Sequence, residues 1–263
     1  MNINKTFKDK KIARTERGKA TVFLHGFTGS SQSWVDIIEN FDGPAISIDI
    51  PGHAKSNISS KYGVSDWIND LSKKTDTLNI EKFNVCAYSM GGRLAIAYAA
   101  KYPNRINHLI LESTSMGISD NKIKNKRLEN DLELSRLIES DYSSFLDRWE
   151  QNPLFSMQKK RNKKAFLLQR KERMRHNPLQ LSQSLKTFSQ GSMKSYEFEF
   201  SNFTFPISII NGNEDEKYIE IGRKMCKLNH NCSQYILKAG HNVHLENPND
   251  FMITLKKILN SNP

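Results

Sequence analysis

Short apolar runs, each ended by a loop rich in Gly, Pro or Asn, alternate with stretches of helical period at both ends of this chain. Residues 20–24, Ala-Thr-Val-Phe-Leu, and 45–49, Ala-Ile-Ser-Ile-Asp, read as buried parallel strands. Residues 66–78 have helical periodicity, and the run 82–87 enters a further strand. A helix over 93–101 follows at once, stopped before Pro103, and then a strand over 106–111. The pattern resumes with a strand around 205–210, a helix near 219–228, a strand over 234–237 and a terminal helix from Asn247-Pro248 to about Leu259.

Between about Met116 and Ser195 the strand signal disappears. Leu128, Leu132, Leu134, Leu137 and Ile138 recur at helical spacing, as do Phe145, Leu146 and Trp149, then 166–168, then Leu179, Leu181 and Leu185. An all-helical insert in a βα array predicts a lid over the carboxyl ends of the strands, where open α/β sheets bind ligands. The expected organisation is an α/β core of residues 1–115 and 196–263, interrupted by a helical lid of residues 116–195.

The 263 residues suffice for one large α/β domain. The polar, charged stretch Met1–Ala20 lacks the apolar segment of a secretory signal, and no apolar run has the length of a membrane span. Together with Cys86, Cys226 and Cys232, odd in number and without metal-ligand spacing, this predicts a cytoplasmic protein with reduced thiols. The formal charge of +11 is concentrated in the insert, where residues 117–196 hold 17 Lys/Arg against 9 Asp/Glu. The run 159–164 therefore reads as a solvated helix face; no nucleic-acid motif accompanies it, so neither a specific nucleic-acid partner nor membrane insertion is expected.

Candidate chemistry centres on Ser89. A strand turning abruptly into a helix with Ser at the corner is a nucleophile elbow, and small residues two positions either side, Ala87 and Gly91, relieve crowding there. This α/β-hydrolase fold orders its triad Ser, acid, His along the chain. An acid is expected on the loop 211–217, where Glu214 and Glu216 compete with the favoured Asp215. A His is expected on the loop 239–244, where His244 competes with the favoured His241. Leu24-His25-Gly26-Phe27 follows the first strand, so the backbone N–H groups of Phe27 and Met90 are the candidate oxyanion donors, with His25 in a structural role.

At this level the chain resembles the 2-succinyl-6-hydroxy-2,4-cyclohexadiene-1-carboxylate (SHCHC) synthases of menaquinone (vitamin K2) biosynthesis. The likeness runs through Ala87-Tyr88-Ser89-Met90-Gly91-Gly92-Arg93, Leu24-His25-Gly26-Phe27, Asp49-Ile50-Pro51-Gly52-His53 and the stretch 109–114. It continues through the lid segments 149–155 and 170–174 and ends at Gly240-His241-Asn242-Val243-His244-Leu245-Glu246. The resemblance implies pyruvate elimination from a substrate with three carboxylates and no metal or organic cofactor. Ser89 would act as base through His241 and Asp215. It also implies that Arg93, Arg127 and Arg173 meet the carboxylates, with Arg170 the alternative to Arg173, and that Tyr88 and Trp149 line the cavity. Trp149 reads equally as lid core. The competing function is a generic serine hydrolase of the same fold, an esterase or carbon–carbon bond hydrolase. Three positions depart from the family pattern: Ala87 and Ala54 each stand for Gly, and Ser189-Gln190-Gly191 for Gly-Thr-Gly. The expected partner is a small polycarboxylate; the expected assembly is a monomer or weak oligomer.

Overall fold

The computed structural model describes residues 20–155 and 157–260, so the reading of the leader segment lies largely outside the described residues. Six strands, β1 (Thr21–Leu24), β2 (Ala45–Ile48), β3 (Phe83–Tyr88), β4 (Ile106–Glu112), β5 (Ile207–Gly212) and β6 (Cys232–Leu237), form one parallel sheet. Its order is β2-β1-β3-β4-β5-β6. The chain runs outward from β1 to β2 and then back across it to β3. This reversal sets the carboxyl ends of β1 and β3 side by side and opens a crevice there. The loops bearing Phe27 and Ser89 leave from those two ends.

The inner strands β1, β3 and β5 are buried on both faces, which explains their unbroken apolar runs, whereas the edge strand β6 has no fully buried residue. On one face, Trp67 and Leu71 of α2 (Val64–Thr77) and Leu94 and Tyr98 of α3 (Met90–Lys101) pack over Val22, Phe83 and Leu109. On the other, Ile37 and Ile38 of α1 (Val35–Glu39) join Phe23, Trp34, Phe251 and Leu255. Cys86 is buried in β3, while the Cys226 and Cys232 sulfurs lie 2.7 Å apart without a bond between them.

Helices fill the chain between β4 and β5: α4 (Asn121–Ser140), α5 (Tyr142–Glu150), α6 (Gln158–Arg161), α7 (Lys163–Arg173), α8 (Pro178–Phe188) and α9 (Glu197–Ser201). Gly191 lies where an added Cβ would come within 2.5 Å of the Leu128 backbone. Helical period was legible here, but the buried face was not. Leu167, Leu168 and Leu179 are more than half exposed, whereas Phe166, Leu181 and Leu185 are buried. Neighbours in an α-helix are about 100° apart, so a run of three apolar residues cannot all face the core. After β5 come α10 (Glu216–Leu228), α11 (Val243–Glu246) and α12 (Pro248–Asn260).

Ala54, one departure from the family pattern, has φ +48°. A side chain in that left-handed region costs about 1–2 kcal/mol, and glycine escapes the cost. Its backbone N–H donates to His176 Nδ1 at 2.9 Å, so the conformation is held by the helical insert between β4 and β5. Ala54→Gly is expected to stabilise the protein by about 0.5–1 kcal/mol, read as a higher denaturant midpoint at unchanged slope.

Candidate active site

Ser89 has φ +51° and ψ −107° and immediately precedes α3. Glu112 and Thr114, from the end of β4, hold the turn: Ser89 N donates to the Glu112 carbonyl at 2.9 Å, and Thr114 Oγ1 donates to the Ser89 carbonyl at 2.7 Å. Gly91 seats the elbow on β1, since an added Cβ would come within 2.5 Å of the His25 carbonyl. Ala87 is fully buried between Leu24 and Leu111 of the flanking strands, so its extra methyl is packed rather than exposed.

Both candidate partners reach this corner. Asp215 lies just past β5 and accepts from His241 Nδ1 at 2.6 Å, leaving Nε2 facing Ser89 Oγ at 3.4 Å. That is a loose contact of the kind that tightens when substrate is bound. Two of the competitors are engaged elsewhere, and Glu216 is exposed. Glu214 pairs with Arg161, and His244 gives both its backbone N–H (3.0 Å) and Nδ1 (2.6 Å) to the Glu112 carboxylate beneath the elbow. Glu246, which carries no role in the sequence reading, brackets His241 by accepting from the backbone of Gly240 at 2.7 Å and of Asn242 at 3.4 Å. Burial pushes its carboxyl pKa up, and only those amides and nearby Arg161 oppose the shift. Met90, first residue of α3, has an N–H without an intrahelical acceptor, and Phe27 lines the same cavity.

That cavity, about 90 Å³, is lined by Ser89, His241, Phe27, Met90 and Tyr88, with Arg93, Arg127 and Trp149 around them. Arg93 is buried; its Nη2 donates to the Phe188 carbonyl at 3.0 Å and its Nε has no partner. Burial lowers its pKa to about 10, so it remains a cation at neutral pH. Arg127 donates to Asp131 at 2.7 Å and to Gln190 Oε1 at 3.0 Å. Trp149 does both things read for it: its ring packs on Phe27, Phe145 and Phe155, and it lines the cavity with an indole N–H lacking an acceptor. Arg173 is not in this lining. It lies in a neighbouring gap of about 10 Å³, donating to Glu150 at 3.0 Å, Gln169 at 2.7 Å and Thr28 at 3.2 Å. Arg170 is partly exposed and bridges Asp147 and Glu150. Lys217, Tyr218, Gln190 and Asp131 also line the cavity. None has a motif of its own, although Lys217 and Tyr218 directly follow the acid loop.

The Ser189-Gln190-Gly191 departure has a local account. Ser189 Oγ accepts from the Gly191 and Ser192 amides at 3.0 Å each, while Gln190 ties Arg127 to Ser115. Among the described residues no cluster of His, Cys, Asp and Glu is arranged to hold a metal, and no helix is long and apolar enough to cross a membrane.

Three other histidines staple the loops around the site. His25 Nδ1 donates to the Gly26 carbonyl at 2.8 Å while Nε2 accepts from Ile50 N at 2.9 Å, which is the structural role read for it. His53 Nε2 accepts from Thr28 N at 3.2 Å. His176, in the insert between α7 and α8, donates from Nε2 to the Thr28 carbonyl at 3.0 Å. Burial lowers the pKa of all three, that of His176 to about 4, and likewise that of His108 in β4 to about 4. The unfolded chain takes up these protons near pH 6.5 and the folded chain does not. Stability is thus full above about pH 6.5 and falls as the pH drops toward 4, His176 alone contributing about 2 kcal/mol of loss by pH 5. Thermal midpoints measured from pH 8 to 5 should be flat and then descend; a flat profile throughout would contradict neutral buried rings.

The alpha/beta hydrolase fold family matches residues 20–248. A protein of Bacillus subtilis (strain 168), provisionally named 2-succinyl-6-hydroxy-2,4-cyclohexadiene-1-carboxylate synthase, is 34% identical over 92% of this chain and 91% of its own. The synthase of that name from Enterobacter sp. (strain 638) is 28% identical over 90% of each chain. Among solved structures, MenH from S. aureus superposes with a TM-score of 0.88 at 28% identity, covering 92% of this chain and 94% of that one. An enol-lactonase from Burkholderia xenovorans LB400 superposes with a TM-score of 0.76 at 17% identity over 94% of both, a likeness of fold alone.

Proposed function

The chain belongs to the alpha/beta hydrolase fold family and, within it, to the SHCHC synthases, and on that footing we propose that Ser89, His241 and Asp215 perform the proton transfer of its reaction. The enzyme is a lyase of menaquinone biosynthesis, eliminating pyruvate from 2-succinyl-5-enolpyruvyl-6-hydroxy-3-cyclohexene-1-carboxylate. Asp215 accepts the Nδ1 proton of His241, so Nε2 is the nitrogen free to receive the Ser89 proton. The serine oxygen then removes the proton from the ring carbon next to the succinyl carbonyl. Negative charge moves to that carbonyl oxygen, where the N–H groups of Phe27 and Met90 receive it. As the enolate collapses, the ring double bond shifts into conjugation and the enolpyruvyl C–O bond breaks. The departing enolate takes a proton to become pyruvate.

The observation that carries this reading is Arg93. A buried guanidinium with an unpartnered N–H is costly unless an anion completes it, and a carboxylate does so in bidentate fashion. An ordinary neutral ester gives that cation nothing to bind. We further propose that residues 116–195 act as a lid placing Arg127 and Trp149 over the substrate. Incubation of purified protein with the enolpyruvyl substrate is expected to release pyruvate in step with the diene chromophore. Labelling by a fluorophosphonate would mark Ser89 under either reading, so a well-folded protein that hydrolyses p-nitrophenyl esters but releases no pyruvate is the result that favours the hydrolase.

A further inference from the structure

The charges around Ser89 do not balance a substrate with three carboxylates. Arg127 is offset by Asp131, which lines the same cavity, and Arg173 is offset by Glu150 and lies outside it. Arg93 is left as an uncompensated cation at the inner end. The cavity beside Ser89, about 90 Å³, is also the smaller of two that meet at His241. A substrate with three separated carboxylates is more easily housed if part of it extends past the histidine. A second cavity of about 290 Å³ begins there, and it shares Leu154, Lys217 and His241 with the first.

Lys217 stands where the two cavities meet. It lies on the first turn of α10, two residues beyond Asp215, with its ammonium 5.6 Å from the centre of the Tyr218 ring. Among the described residues no carboxylate lies within ion-pairing distance of it. The acidic groups of the outer cavity are committed or turned to solvent: Asp215 holds His241, Glu214 holds Arg161, and Glu216 is exposed.

We propose that Lys217 is a specificity-determining residue, binding the substrate carboxylate that extends beyond His241 while Arg93 holds one at the inner end. This rests on the synthase reading above. An ammonium on a flexible stem suits that place, because a carboxylate at a partly open rim keeps some water and needs no fixed fork. It also reassigns the third cation read in the sequence, from a lid arginine already paired with Glu150 to a lysine of the core.

The test compares wild type with Lys217→Gln, Lys217→Arg and Lys217→Glu. For pyruvate release, KM should rise about tenfold in Lys217→Gln and further in Lys217→Glu, recover in Lys217→Arg, and fall toward wild type as salt is added. The decrease in kcat should stay under about threefold, since Lys217 does not act on the proton. Titration with tricarballylate, a plain tricarboxylate, reads the same interaction without turnover, and Lys217→Gln should bind it several-fold more weakly. Equal KM and equal tricarballylate affinity in wild type and Lys217→Gln, or a loss confined to kcat, overturns the assignment. If wild type binds tricarballylate through Lys217 but releases no pyruvate, the carboxylate site stands and the synthase reading falls.

Discussion

Ser89→Ala should lower kcat for pyruvate release by about 10³- to 10⁴-fold, near the upper end of what a positioned acid–base group contributes, while KM changes by less than about twofold. The argument is geometric. His241 is oriented by Asp215 at 2.6 Å and faces Ser89 Oγ at 3.4 Å, and removal of the hydroxyl leaves no oxygen to carry the proton from carbon to Nε2. Everything that binds carboxylates is untouched, so substrate should still saturate the variant. Alanine keeps the Cβ already tolerated at φ +51°, so the thermal midpoint should not fall. Diene absorbance in a single turnover, with the midpoint measured on the same preparation, checks both. A loss under tenfold would move the base to another group.

Arg93→Met separates function from stability in the opposite way. Loss of the buried guanidinium should reduce kcat/KM by about 10³-fold, since a charge-assisted, desolvated contact is removed and one substrate carboxylate is left facing an apolar wall. The folded protein should nevertheless become more stable by about 1–3 kcal/mol. Arg93 is buried with one N–H unsatisfied and no ion pair, and replacing such a group by an apolar chain of similar length removes a desolvation cost. Arg93→Lys should restore little activity, because the planar fork is lost. Parallel kinetics and thermal melts decide the matter: a variant that is both inactive and less stable would place Arg93 among the structural supports.

The core strands and the elbow were legible because fully buried parallel strands leave an apolar run, and because a strained corner admits few residue types. The order Ser89, Asp215, His241 was legible for a related reason, as each residue follows a strand end. The choice between His241 and His244 became decidable only in three dimensions. It depends on Glu112, which is distant in sequence, occupying His244 beneath the turn. The lid was harder. Helical spacing revealed its helices but not which face they bury, hence the exposed Leu167 and Leu168. Nor does spacing show that Arg173 is spent on Glu150, or that Arg127 is half neutralised by the aspartate one turn away. Charge pairing across helices leaves no periodic trace, and a lone lysine such as Lys217 has no motif.

The edge-to-face row of His25, His53 and His176 has an evolutionary consequence. The loop after β1, the loop after β2 and the helical insert are joined through Thr28 and Ala54, with ring centroids 4.9 and 5.5 Å apart along the row. Residues sharing one set of partners are not free to drift singly, and their substitutions are non-additive. Position 54 could accept a side chain because the lid uses its amide alone, whereas positions 53 and 176 are bound into a shared historical contingency. A change of either imidazole alone is therefore expected to loosen the loop after β1 and the helical insert together.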